Sequence, residues 1–227
     1  MKRHNKRNVY ILLAFVMLVA FVIALYCIYN KTILTIDEPA SLSESNCRQY
    51  YGWFNYPETG WLTKESWNNL IVTDHPFDFA NVFYNMSCDN HPVLYHSIIH
   101  FMYSLVPYTY SMWPALIPNL ISYMISGLAI FFISNHLTKN GYASVMITAF
   151  YLFNPYIINN MLLIRMYMMT EMFVTVFTLL AVRIVSNNKN IWNYIFLCII
   201  TTCGCLSHYF FYFAMAFISI MVAIYLI

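Results

Sequence analysis

The segment VYILLAFVMLVAFVIALYCIY, residues 9–29, is a run of 21 residues without a charged side chain. At about 1.5 Å per residue, an α-helix of this length crosses a hydrocarbon core of about 30 Å. The apolar run is too long for a cleaved signal peptide, and no small-x-small site follows it. We therefore expect a permanent anchor, and the basic residues within positions 2–7 place its N-terminus in the cytoplasm.

The composition excludes an ordinary water-soluble domain. Of the 227 residues, 61% are hydrophobic and only 9% are charged, whereas soluble domains carry about a quarter charged residues. Eight of the nine acidic residues lie between Asp37 and Asp89, so residues 30–112 are expected to form an acidic extracytoplasmic loop. This charge distribution argues against nucleic acid as a partner.

Five further apolar stretches follow the loop. They are residues 113–135, 142–156, 161–185, 191–206 and 209–227. When the basic residues of alternate turns are placed in the cytoplasm, the turns holding Arg165 and His208 lie on the outer side. We therefore expect an all-α integral membrane protein with about six transmembrane helices, in a bacterial plasma membrane or an endoplasmic reticulum. We expect residues 1–227 to belong to a single domain that is truncated at its C-terminus, because the last span ends at Ile227 without a basic residue or cap.

Residues 93–106 form a 14-residue apolar stretch that is too short to count as a span. Their polar side chains recur at helical spacing opposite an apolar stripe. We therefore expect a short helix lying at the membrane interface. A crossing here would instead move Arg165 and His208 to the cytoplasm, which the distribution of basic residues disfavours.

Two clusters of ionisable residues lie in the loop. Asp37 and Glu38 come eight residues beyond the first span, and no cation follows within nine positions, so a carboxylate there is a candidate general base. The alternative is helix capping, since Pro39 follows directly. The second cluster runs from Asp89 through His91 to Tyr95, and Pro92 keeps His91 out of a helix.

Two other roles are open for loop residues. Asp89 and His91, with His96, are weak candidates for metal ligands, because the segment lacks the ligand density of a closed metal site. Cys47 and Cys88 both lie in the loop and are able to form a disulfide in an oxidising compartment.

The third cluster, Arg165-Met-Tyr167-Met-Met-Thr-Glu171, is predicted at the outer end of a span. Ionisable groups at that depth are costly and are candidates for function. Tyr167 and Glu171 share a helix face, whereas the spacing pairs Arg165 with neither, so its guanidinium is free for an anion such as phosphate. A snorkelling arginine is the alternative. His208 in the next outer turn is either a second ligand contact or merely interfacial.

The order of these motifs resembles the GT-C glycosyltransferases. The motifs that carry this resemblance are an outer loop opening with Asp-Glu, a His-Pro-x-Leu-Tyr entry into a short helix, an Asn-Pro-Tyr turn, Arg-Met-Tyr and a later His-Tyr. The likeness is to the branch that uses polyprenyl-phosphate sugars, which includes protein O-mannosyltransferases and the aminoarabinose and lipopolysaccharide-core transferases of bacteria. Many relatives have a second proline where this chain has Val93, and families of this kind usually have further spans and a C-terminal region.

The resemblance implies an inverting transfer of a sugar from a polyprenyl phosphate to a hydroxyl group of a glycan, lipid or protein. Asp37 would be the base, and Glu38 would orient the base or the acceptor. Arg165 would neutralise the leaving phosphate with help from His208. The other residues expected around the donor sugar and phosphate are His91, Tyr95, Tyr167 and Glu171. Some branches recruit a divalent cation through acidic loop residues, and the sequence leaves that open here.

Two alternatives have no chemical step. A transporter or flippase for lipid-linked saccharides would use Arg165 to bind phosphate and aromatic side chains to stack on sugars. Transporter sites generally lie near the membrane midplane on broken helices, whereas the charges here are predicted at the outer rim, which favours the enzyme. The chain is also compatible with a non-catalytic membrane subunit.

Overall fold

The computed structural model describes residues 3–47, 63, 71–186 and 190–226 of the chain. These residues contain α-helices and no β-strand. The helices are α1 (Arg3–Tyr29), α2 (Glu38–Asn46), α3 (Phe79–Ser87), α4 (Leu94–Ser104), α5 (Trp113–Thr138), α6 (Gly141–Leu152), α7 (Pro155–Leu162), α8 (Tyr167–Val185), α9 (Ile191–Cys205) and α10 (Phe210–Leu226).

Three of the described helices, α1, α5 and α8, are long and apolar enough to cross a membrane. A fourth candidate span arises if α6 and α7 are counted as one broken span, since the pair bends by 54° at the break. Helices α9 and α10 are apolar but shorter. The protein is therefore an all-α membrane protein with three to four candidate spans, and its apolar helices indicate contact with a lipid bilayer.

Helix α5 lies at the centre of the bundle and packs most extensively against α6 and α8. Gly127 permits the close approach of α6, because a Cβ atom there would lie 2.7 Å from Leu152 Cδ2. The Tyr123 hydroxyl donates a hydrogen bond of 2.6 Å to the Leu152 carbonyl, which satisfies one acceptor at the end of α6. Helix α1 covers α5 and α6, whereas α9 and α10 pack against α8.

Helices α2, α3 and α4 pack against one another and form a second layer on the bundle. Helix α4 joins this layer to the bundle by packing against α5. Every residue of α2 is buried although its sequence, EPASLSESN, is mostly polar. Hydrogen bonds make this burial tolerable. The Asn46 side chain donates to the Ile71 carbonyl at 2.9 Å, and Asn85 donates to the Glu44 carbonyl at 2.9 Å.

Helix α4 corresponds to the short helix predicted over residues 93–106. Its polar side chains, including His96 and His100, are buried, whereas Phe101 and Leu105 are exposed. The polar face is thus covered by protein and the apolar stripe faces outward. The reason is the presence of α2 and α3, which pack on α4 and exclude water from its polar side.

The segment over residues 161–185, which was predicted to form one span, is divided in the structure. Helix α7 ends at Leu162 and α8 begins at Tyr167, so Arg165 lies in a turn between them. Two long-range hydrogen bonds hold this turn. A Glu38 carboxylate oxygen accepts from the Ile164 N–H at 2.7 Å, and the Asn119 amide donates to the Leu163 carbonyl at 2.6 Å.

No disulfide joins Cys47 and Cys88 in the structure, although the sequence permits one. Cys47 is buried just after α2, whereas Cys88 is exposed at the end of α3. Burial, together with the negative charge of Asp74, raises the pKa of Cys47 to about 12. Its thiol therefore stays protonated and poorly reactive at neutral pH.

Candidate functional site

Arg165 joins the first loop to the end of the bundle. Its side chain is buried, and its Nη1 donates to the Ser41 hydroxyl at 3.0 Å and to the Asp37 carbonyl at 3.4 Å. Its Nη2 lies 3.4 Å from His91 Nε2. Residues from three separate regions of the chain therefore meet at one guanidinium.

The tautomer of His91 follows from its neighbours. Its Nδ1 lies 2.6 Å from an Asp89 carboxylate oxygen, and an ionised carboxylate only accepts hydrogen bonds. The proton therefore sits on Nδ1, which leaves Nε2 to accept from Arg165. Burial acts to raise the pKa of Asp89, but hydrogen bonds from His91 and Asn90 outweigh it and lower the pKa below its ordinary value.

Arg165 retains unused hydrogen-bonding capacity. A guanidinium has five N–H donors, and three are used by Asp37, Ser41 and His91. Its Nε is buried and has no hydrogen-bond partner among the described residues. A buried unpaired donor is costly, so an oxyanion that reaches this edge gains both charge neutralisation and a missing hydrogen bond.

His208 completes the surroundings of Arg165. Its ring centroid lies 6.1 Å from that of His91 and 5.5 Å from that of Tyr167. Its Nδ1 accepts from the Phe210 N–H at 3.0 Å, so the neutral ring carries its proton on Nε2. Burial first, and then the electrostatic influence of His91 and Arg165, lower the pKa of His208. The ring is a neutral hydrogen-bond donor at neutral pH.

The two adjacent acids of the first loop have different surroundings. The Asp37 side chain is exposed, and no described residue forms a hydrogen bond or ion pair with its carboxylate. Glu38 is completely buried and pairs with Lys31 at 3.0 Å. It also accepts from the Thr35 N–H at 2.6 Å and the Ile164 N–H. The cation that neutralises this acid, Lys31, precedes it along the chain, so the absence of a cation in the nine positions after Glu38 does not leave the acid unpaired.

The remaining predicted residues lie on two sides of the cluster. Tyr167 is the first residue of α8, and the Arg165 guanidinium carbon lies 6.0 Å from its ring centroid. Glu171 lies one turn further along α8 and faces a cavity that Tyr167 also lines. Tyr95 is fully buried in the core with its hydroxyl beside Asn119.

Sequence reasoning missed the polar contribution of α2. Ser41 binds Arg165 directly, and Glu44 is buried on the same helix. Burial and the nearby Asp89 raise the pKa of Glu44 to about 7, while Arg165 opposes that rise. Burial lowers the pKa of His96 on α4 to about 3, so it is neutral. The available signal was the acid at position 44 within a short segment rich in serine that follows Pro39.

Within the described part of the chain, no group of three or more His, Cys, Asp or Glu side chains is arranged to hold a metal ion. Asp89 and His91, the weak metal candidates, are instead linked to each other and to Arg165. An incoming cation would have to compete with that guanidinium. We therefore assign Asp89 and His91 to the orientation of Arg165.

No family model, curated protein or solved structure matches the chain. The motif order and the geometry around Arg165 are therefore the basis on which a function is assigned. We use the term Arg165 cluster for the group formed by Asp37, Ser41, Asp89, His91, Arg165, Tyr167 and His208.

Proposed function

We propose that the protein is a membrane glycosyltransferase of the GT-C type, which moves a sugar from a polyprenyl-phosphate donor to an acceptor hydroxyl. The observation that carries this proposal is the contact between Arg165 and the Asp37 backbone across 128 positions of sequence. The backbone of the residue that carries the proposed base is therefore held against the cation proposed to receive the phosphate. The base and the cation are the two charges that glycosyl transfer from a lipid phosphate requires.

The exposed Asp37 carboxylate is the proposed general base. It takes the proton of the acceptor hydroxyl while the acceptor oxygen forms a bond to the anomeric carbon. The bond between that carbon and the phosphate oxygen breaks, its electron pair stays on the phosphate, and the sugar is inverted. Arg165 stabilises the negative charge that develops on the phosphate, and His208 donates an N–H to it.

Glu38 and His91 are positioning residues in this proposal. Glu38 binds the Ile164 N–H and so fixes the turn that holds Arg165 close to Asp37. His91, held by Asp89, fixes one edge of the guanidinium. Both leave the unpaired Nε of Arg165 available to a ligand. A guanidinium held in this way loses little conformational freedom on binding phosphate.

The proposed topology has six crossings, made by α1, α5, the bent pair α6–α7, α8, α9 and α10. The basic residues before α1 lie in the cytoplasm in this arrangement, as do Lys139 and Arg183. The Arg165 cluster then lies at the outer surface of the membrane. A lipid-linked donor reaches such a site by diffusion in the outer leaflet.

A transfer assay in membranes tests the proposal. Labelled polyprenyl-phosphate sugars are supplied to membranes that contain the wild-type protein or the Asp37→Asn variant, and labelled acceptor products are counted. We expect the variant to lose at least 100-fold in transfer rate, in line with loss of a general base, and to insert normally. Asp74→Asn is the matched control, because Asp74 is an exposed acid of the same loop outside the Arg165 cluster.

Two results would contradict the proposal. Turnover by Asp37→Asn at the wild-type rate would remove the base assignment. Movement of labelled lipid-linked sugar across vesicles without any transfer to an acceptor would instead favour the transporter, in which Arg165 binds phosphate without chemistry.

A further inference from the structure

A cavity of about 530 Å³ lies between α7, α8 and α10, directly beside the Arg165 cluster. Its volume falls within the range of about 300–1,000 Å³ typical of small-molecule sites. Tyr167 and Phe210 line the wall nearest the cluster, and both rings contact His208, with centroid distances of 5.5 and 4.5 Å. Tyr167 therefore borders both the cavity and the Arg165 guanidinium, whose carbon lies 6.0 Å from its ring centroid.

Glu171 supplies the charge of the cavity. One carboxylate oxygen accepts from the Tyr151 hydroxyl at 2.8 Å, and the other accepts from the Asn160 amide at 3.1 Å. No cationic side chain of the described residues lies within ion-pair distance of it. Each oxygen retains a lone pair, because an ionised carboxylate has about four acceptor positions.

The lining excludes two classes of ligand. A second anionic group would meet the uncompensated Glu171 carboxylate and be repelled. A purely apolar ligand would remove water from that carboxylate without replacing its hydrogen bonds, which is costly. The ligand must therefore bring hydrogen-bond donors into the cavity, together with an apolar surface for Tyr156 and Tyr167.

A hydroxylated sugar ring satisfies both requirements. Its hydroxyl groups donate to Glu171 and accept from the amide of Asn159, which is exposed at the edge of the cavity. The C–H face of the ring packs against the tyrosine side chains, which combine apolar area with a polar tip. The phosphate of the same molecule is then placed at Arg165, which neighbours the Tyr167 ring.

We propose that this cavity is the subsite for the sugar ring of the donor and that Glu171 determines which sugar is accepted. This inference rests on the proposed function, since it uses the phosphate position at Arg165. The sugar subsite can still be tested separately from the phosphate site, because Glu171 recognises the sugar and makes no contact with the phosphate. The pattern of hydroxyl groups on the ring therefore sets the affinity.

The test compares two kinds of ligand on the same protein. Binding of farnesyl phosphate, and of farnesyl phosphate esterified with glucose, mannose, galactose or arabinose, is titrated on the full chain in lipid nanodiscs. We expect at least one sugar ester to bind about tenfold more tightly than farnesyl phosphate. The Glu171→Ala and Glu171→Gln variants should lose that preference and bind farnesyl phosphate as the wild type does. Arg165→Ala should weaken both kinds of ligand by the same factor.

Thr178→Val is the matched control on α8, because the Thr178 hydroxyl bonds only to its own helix and lies outside the cavity. Wild-type protein that binds no sugar ester more tightly than farnesyl phosphate would overturn the inference. An equal loss of affinity for both ligand kinds in Glu171→Gln would also overturn it. Retained sugar preference without transfer to any acceptor would refute the proposed function and leave the sugar subsite intact.

Discussion

Glu38 was predicted as a site residue, and its contacts also stabilise the fold. Its carboxylate is fully buried and joins Lys31, Thr35 and Ile164. A buried acid with a cation and two backbone donors has its desolvation cost offset. Asp37, its neighbour, is exposed. The environment of each side chain thus separates the proposed base from the residue that positions it.

Replacement of Glu38 by alanine is expected to cost about 3–5 kcal/mol of stability, since it breaks a buried ion pair and leaves Lys31 unpaired. The Ile164 N–H would also lose its acceptor, so the turn around Arg165 should loosen and donor affinity should fall. Thermal unfolding in detergent measures the first effect. Lys31→Met is the comparison variant and should cost less, because Glu38 keeps both backbone bonds. Equal melting temperatures for wild type and Glu38→Ala would contradict this role.

Glu44 should make stability depend on pH. Its pKa is raised to about 7 in the folded protein, whereas an unfolded glutamate has a pKa of about 4.3. Between these values the folded state binds more protons than the unfolded state, so this group lowers stability as pH rises through that window. Glu44→Gln removes the effect and should stabilise the protein by about 3 kcal/mol at pH 8 and negligibly at pH 4.

The measurement is the difference in melting temperature between Glu44→Gln and wild type at a series of pH values. The difference between the two proteins isolates Glu44 from the other groups that face it, which are Asp89, Arg165 and His96. A constant difference from pH 4 to pH 8 would show that Glu44 titrates normally.

At the scale of helices, the turns decide where the site residues lie. The four residues between α7 and α8 are held out of a helix by Glu38 and Asn119. At the other side of the cluster, α9 and α10 meet at Gly204, where a Cβ atom would lie 2.5 Å from the Phe211 ring. This contact positions the turn that carries His208.

Gly204→Ala should push α9 and α10 apart. Overpacking of this kind costs about 1–3 kcal/mol, and the displaced His208 should lower donor affinity as well as stability. Melting temperature and farnesyl phosphate binding are the readouts. Thr202→Ala on the exposed face of α9 is the matched control. The double variant Gly204→Ala with Phe211→Leu should regain most of the lost stability and donor affinity. A double variant with the same melting temperature and affinity as Gly204→Ala would show that another contact is responsible.

For the whole molecule, the proposed orientation places the Arg165 cluster and the α2–α4 layer outside the cell. Cys88 is native, exposed and part of that layer. In a variant that keeps only this cysteine, a membrane-impermeant maleimide should label intact cells. A cysteine introduced by Leu137→Cys, near the opposite end of α5, should react only after the cells are permeabilised. The reverse pattern would place Arg165 in the cytoplasm and remove access to an extracytoplasmic acceptor.

The membrane class and the helical character of the chain could be predicted from its amino-acid sequence alone. Runs of uncharged apolar residues predict helices wherever lipid is the solvent, because the backbone must bond internally there. Two predicted spans, residues 9–29 and 113–135, correspond to α1 and α5. The short helix at 93–106 was also located, since its periodicity is a local property.

The contacts between polar groups, in contrast, depend on how distant segments of the chain pack together. The partners of Arg165 lie 74 to 128 positions away along the chain, and no local pattern encodes such contacts. The inward polar face of α4 and the burial of Glu44 and Tyr95 have the same origin. Each depends on which neighbouring helix displaces water or lipid from a side chain, and that is set by packing between distant segments.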